Sequence, residues 1–136
     1  MVPYNTKSNL LPGSNLSEVM RHAKSIYCTI EKTTKRRPYI RSAYFKKEKI
    51  FFDFFWDHLA QKLPQERYAR LKYFQGAIDL IEHSKNKPTL KENPNKKGEI
   101  LYRFSGFTKE KKLFYIQIKE DKKTKRKYLM SCFSGK

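Results

Sequence analysis

From Glu99 to Phe133 the chain carries three aromatic and β-branched runs, Ile100 to Phe104, Leu113 to Lys119 and Tyr128 to Phe133. They are joined by the charged links Ser105 to Lys112 and Glu120 to Lys127. Each run has the composition of a strand. The links are too short to hold a crossover helix, so consecutive strands should run antiparallel as a meander. A small sheet of this kind has a face to bury, and the preceding residues must cover it. The expected fold is therefore α+β, with N-terminal helices packed on one face of a C-terminal antiparallel β-meander of three or four strands. A chain of 136 residues is expected to form a single domain. Residues 1–13 should be extended or flexible, 14–84 mainly helical, and 99–133 sheet.

The helical part reads from its caps and periodicities. Asn15-Leu16-Ser17-Glu18 has the form of an N-cap with a glutamate three residues on, ahead of Val19, Met20, Ala23 and Ile26. Thr29 to Pro38 reads as a basic loop, because Pro38 pushes Arg37 out of helical backbone. Lys47 to Lys62 sets Ile50, Phe51, Phe54, Phe55 and Leu59 at helical spacings and predicts a second helix. Pro64 suits the first turn of a third, continued by Tyr68, Leu71, Phe74, Ile78 and Ile81 to about Ser84. Lys85 to Gly98, with two prolines and five lysines, reads as a loop. His22 and His58 read as ordinary helix-edge residues, and Trp56 as part of the core or its margin.

Charge narrows the partner. Lys and Arg total 31 against 13 acidic residues, a formal net charge of +18, and such an excess attracts nucleic acid, anionic lipid or an acidic protein. No apolar run approaches the roughly 18 residues that span a bilayer, and no charged-then-apolar leader opens the chain. No membrane role and a cytoplasmic location are expected. Cys28 and Cys132 stand apart from each other and from histidine at ligand spacing, so free buried thiols, no metal and no cofactor are expected. The runs Lys32 to Arg37, including Arg36 and Arg37, and Lys122-Lys123-Thr124-Lys125-Arg126-Lys127 barely mix signs, which favours phosphate contact over a merely solvated surface.

Alternation along the strands assigns their faces. Phe114, Ile116 and Ile118 should point to the helices, with Tyr128, Met130 and Cys132 beside them. The opposite face should then present Arg103, Tyr115, Gln117, Lys119 and Ser131: cations for phosphate, hydroxyl and amide groups for hydrogen bonds, and a ring on which an unpaired base can stack.

A helical N-terminal part followed by a lysine-rich sheet of this order resembles the barnase, EndoU, colicin and RelE superfamily of small ribonucleases, in particular the group found on phages and mobile elements. The strands carrying the resemblance are Tyr102-Arg103-Phe104-Ser105-Gly106, Phe114-Tyr115-Ile116-Gln117-Ile118-Lys119-Glu120 and Tyr128-Leu129-Met130-Ser131-Cys132-Phe133. It covers about half the chain. It implies a metal-independent endoribonuclease, often a toxin, with Lys119 and Ser131 as active positions and Glu66 and Arg70 contributed by the helix. The chain departs from the better-known members in having no histidine on the three strands.

The chemistry can also be stated without the family. Attack by a 2′-OH needs a proton acceptor, a donor for the leaving oxygen and cations for the phosphoryl oxygens. Arg103 and Lys119 suit the charge. Glu66 and His83 are candidates for proton transfer, His83 as an acid because a helix C-terminus favours its protonated form. Glu66 and Arg70, one helical turn apart, also read as a surface ion pair. Two functions therefore compete. One is a toxin-like endoribonuclease acting on tRNA or on message at the ribosome, restrained by an acidic antitoxin or immunity protein. The other is a non-catalytic nucleic-acid-binding accessory protein of a phage or mobile element.

Overall fold

The computed structural model describes residues 1–92 and 95–135. In chain order the elements are β1 (Tyr4–Asn5), α1 (Leu16–Thr33), β2 (Tyr39–Ser42), β3 (Glu48–Phe51), α2 (Phe55–Ala60), α3 (Pro64–Leu71), α4 (Phe74–His83), β4 (Thr89–Glu92), β5 (Glu99–Phe107), β6 (Leu113–Asp121) and β7 (Lys127–Ser134).

The strands join in one seven-stranded sheet of order β1-β5-β6-β7-β3-β2, with β4 also paired to β5. Here the expected fold is corrected. The fold is α+β, but β5, β6 and β7 are the middle of a larger mixed sheet rather than a free three- or four-stranded antiparallel meander. The β1–β5 and β3–β7 pairs are parallel, and the other four are antiparallel. The segment expected to be one helix over Lys47–Lys62 splits, because Ile50 and Phe51 pair with Lys127 and Tyr128 of β7 while Ile50 and Phe52 point inward, before α2 begins at Phe55. The third expected helix breaks at Lys72 and Tyr73 into α3 and α4. The departure is at Tyr73, whose backbone (φ -96°, ψ 6°) leaves the helical region, while the Lys72 ammonium ties the break to the N-terminal segment by donating to the carbonyls of Leu11 and Gly13 at 3.0 and 2.6 Å. Part of the expected 85–98 loop forms β4.

α1 begins as its sequence requires. Asn15 Oδ1 accepts from the Glu18 amide at 3.0 Å, and the Glu18 carboxylate accepts from the Ser14 amide at 2.8 Å. The helix runs on to Thr33, through residues expected in the basic loop.

The helices cover the sheet face that carries Ile50, Phe104, Phe114, Ile116, Ile118, Leu129 and Cys132, all buried. α4 comes very close to this face. A Cβ on Gly76 would stand 3.1 Å from the Phe114 ring, and one on Gly106 only 2.8 Å from Leu80 Cδ1. Two glycines thus set the depth at which Phe74, Ala77, Leu80 and Ile81 enter the core.

One irregularity decides what reaches the other face. Gln117 pairs with Ser131 but Ile118 pairs with Leu129, so Met130 is the extra residue of a β-bulge in β7. Unbroken alternation puts Tyr128 inward and Leu129 outward. The bulge reverses both: Leu129 is fully buried opposite Ile118, and Tyr128 moves to the outer face opposite Lys119. It also turns Lys127 inward beside Glu120.

Candidate nucleic-acid interface

The outer face is organised by register. Thr89, Arg103, Gln117 and Ser131 form one row across four neighbouring strands, and Lys91, Leu101, Lys119 and Tyr128 form the next. Arg103 and Lys119 therefore share a face. Their exposure differs. Arg103 is exposed, donates to Gln117 Oε1 at 3.4 Å, and lies 5.6 Å from the Tyr115 ring and 5.3 Å from that of Phe133. Tyr115 and Phe133 are themselves in contact at 5.9 Å. Arg70 reaches the same Phe133 ring from α3, at 5.4 Å. Two guanidinium groups and two rings thus share one patch, a mixture suited to phosphate on one side and an unstacked base on the other.

Lys119 is not the open cation that strand alternation implies. Its side chain is 14% exposed, paired with Glu99 at 3.3 Å and set 4.1 Å over the Phe54 ring, with Tyr128 at 5.7 Å. Lys96 approaches the same Glu99 carboxylate at 3.3 Å. Ser131 is also covered, at 7% exposure.

The basic runs divide. Lys123, Lys125 and Arg126 stand exposed on the β6–β7 turn. That turn is fixed by Asp121, whose Oδ1 accepts from the amides of Lys123 and Thr124 at 2.9 and 3.2 Å, bonds that hold its carboxyl below the usual range. Lys122 pairs with Glu92. Lys127, expected among the phosphate contacts, is instead 5% exposed: it pairs with Glu48 at 2.6 Å and Glu120 at 3.6 Å, over the Phe45 ring. The bulge at Met130 is the reason. Arg36 is exposed, whereas Arg37 is tied to Asp53 and packed on Phe51.

The proposed proton-transfer residues also separate. His83 lies beside Asp79 at 2.8 Å, and Asp79 in turn accepts from the Lys7 amide and the Ser8 hydroxyl. These partners belong to α4 and the N-terminal segment, not to the strand face. Glu66 is exposed and pairs with Arg70 at 3.8 Å, the helix ion pair that its spacing allows.

The structure adds a residue that the sequence reading passed over. His58, on α2, packs with Phe55, Leu59, Arg70, Met130, Ser131 and Cys132 around a narrow crevice that is closed to water in this conformation. Burial, then the nearby charges of Lys62 and Arg70, push the His58 pKa down and favour the neutral imidazole. Helical spacing alone marks His58 as an edge residue. Only the pairing of β3 with β7 carries α2 to the bulge and brings His58, Arg70 and Ser131 together. Cys132 Sγ seals the crevice floor by donating to the Arg70 carbonyl at 3.3 Å, and burial pushes its thiol up to about 12. Cys28 is free but exposed, against expectation.

Among the described residues no group of three His, Cys, Asp or Glu side chains could hold a metal ion, and no helix is long and apolar enough to cross a membrane. No family model matches the chain, and neither a curated protein nor a solved structure matches it, so the resemblance to the small ribonucleases has no match behind it.

Proposed function

We propose that this chain binds single-stranded RNA across the outer face of its sheet and cleaves it, without a metal, by attack of the 2′-OH on the neighbouring phosphate. The observation that carries the proposal is the patch in which Arg70 and Arg103 both lie over the Phe133 ring, with His58 and Ser131 packed beside Arg70 at its margin. His58 takes the 2′-OH proton as the new P–O bond forms. Arg70 holds the charge that gathers on the phosphoryl oxygens. The bond to the 5′ oxygen breaks, that oxygen takes a proton from solvent, and the products are a 2′,3′-cyclic phosphate and a 5′-OH.

Glu66 acts through Arg70 rather than on substrate, and Lys119 stiffens the platform through Glu99 and Phe54. Exposed Lys123, Lys125 and Arg126 extend the positive surface along the strand's path. With RNA as substrate the protein works in the cytoplasm, and a protein with an acidic surface fitted to this face would silence it.

The test is incubation of the purified protein with RNA in excess chelator. Fragments ending in cyclic phosphate should appear, and His58→Ala should abolish them while retaining binding. Binding should weaken by about 0.7 log units per contacted phosphate per log unit of salt. RNA that is bound but intact leaves the accessory binding role in place of the enzyme, and binding that ignores salt refutes both.

A further inference from the structure

At the opposite end of the Thr89–Arg103–Gln117–Ser131 row from the crevice, the same face carries a groove of about 390 Å³ lined by Thr89, Leu90, Lys91, Leu101, Arg103 and Gln117. It exists because β4 pairs with β5, placing Thr89 opposite Arg103 and Lys91 opposite Leu101. We infer that this groove is a nucleobase subsite and that it selects guanine. The inference rests on the RNA-binding reading above.

The groove's hydrogen-bonding chemistry is one-sided. Arg103 and Lys91 can only donate. Because Arg103 has no acceptor, the Gln117 group facing it must be the carbonyl, and Gln117 Oε1 does accept from Arg103 Nη2. That engages the acceptor end of the amide and leaves its NH₂ as two further donors. Thr89 alone can serve in either sense. A base seated here therefore meets mostly donors and must offer acceptors. The guanine edge with O6 and N7 presents two side by side, and a guanidinium fork matches it in bidentate fashion. The corresponding adenine edge replaces one acceptor with an amino donor, which would face donors. Leu101 supplies an apolar surface for the ring.

The location fits the cleavage geometry. From Ser131 on β7 to Arg103 on β5 is two strand spacings, about 10 Å. The guanine would thus belong to a nucleotide next to the phosphate held by Arg70, with Gln117 on the strand between them.

The experiment uses fluorescence anisotropy with 2′-O-methyl pentamers, which cannot be cut by 2′-OH attack, each of four uridines with a central G, A, C or U. The G pentamer should bind about tenfold more tightly than the A pentamer, in line with one good bidentate contact. Arg103→Lys, which keeps the charge but loses the fork, and Gln117→Ala should each reduce that preference to threefold or less, with the salt slope of Arg103→Lys unchanged. Equal binding of all four pentamers, preference for another base, or a guanine preference that survives both substitutions overturns the subsite and leaves RNA binding standing. If no pentamer binds at all, the subsite and the reading beneath it both fall.

Discussion

Replacing Lys127 by methionine separates a structural cation from the phosphate-contacting run in which it lies. Its side chain is 6% exposed and its ammonium sits 2.6 Å from Glu48 and 3.6 Å from Glu120. Glu48 is half exposed and regains water when the lysine is lost, so it contributes little to the penalty. Glu120 is different: 10% exposed, it keeps, among the described residues, the hydroxyl of Tyr102, which donates to it at 2.7 Å. Burial, reinforced by that bond, pushes the Tyr102 hydroxyl's pKa up and keeps it a donor. Stranding one buried charge costs about 3–5 kcal/mol when its partner is removed, and the surviving Tyr102 bond places this case at about 3 kcal/mol. For a chain of this length that corresponds to a fall in Tm of about 10 °C. Urea titration followed by circular dichroism measures it, and a Lys127→Met/Glu120→Gln double variant should recover most of the loss. Below the melting range, Lys127→Met should bind RNA like the parent, whereas Lys123→Ala/Lys125→Ala should bind more weakly. A loss under about 1 kcal/mol, or no recovery in the double variant, would refute the buried-pair argument.

Cleavage should follow the neutral form of His58. Since burial and neighbouring cations lower its pKa below 6.5, the rate should be flat above pH 7 and fall only on acidification past a midpoint under 6.5, as read from single-turnover rates. Gly106→Ala should destabilise by about 1–3 kcal/mol, since the added methyl meets Leu80 and the Phe114 ring at 2.8 and 3.0 Å; thermal melting decides it. Asn15→Ala should lose about 1 kcal/mol by removing the acceptor for the Glu18 amide, checked by the urea midpoint.

What could be read from the sequence was local. Asn15 and Glu18 marked the start of α1 because a cap is made within four residues, and Phe114, Ile116 and Ile118 marked an inward face because alternation is set by the pleat itself. What failed depended on partners distant in the chain. Ile50, Phe51, Phe54 and Phe55 satisfy a helical stripe as well as a strand, and the parallel pairing with β7, nearly eighty residues on, decides between them. The extra residue at Met130 cannot be counted from a pattern of period two, so Lys127 and Tyr128 were placed on the wrong sides. The candidate site followed the same division. Arg103 and Gln117 could be placed by register, while His58 became visible only once α2 was known to lie against the bulge.

The position of β7 has a consequence for how the molecule comes into being. Among the described strands, β2 and β3 are joined to β5 and β6 by backbone pairing only through this strand, which comes last in chain order yet lies between the two halves. A growing polypeptide can therefore assemble helices and the β5–β6 hairpin early, with Tyr44 and Phe45 packing on Phe104 and Tyr102, but the hydrogen-bonded ladder between the two wings closes only when residues 127–134 have left the ribosome. The crevice, which needs β7 for one wall and α2 for the other, cannot exist on a shortened or still-tethered product lacking that strand. The cleavage proposed above would thus be withheld from the message and machinery making the chain until that last strand is in place.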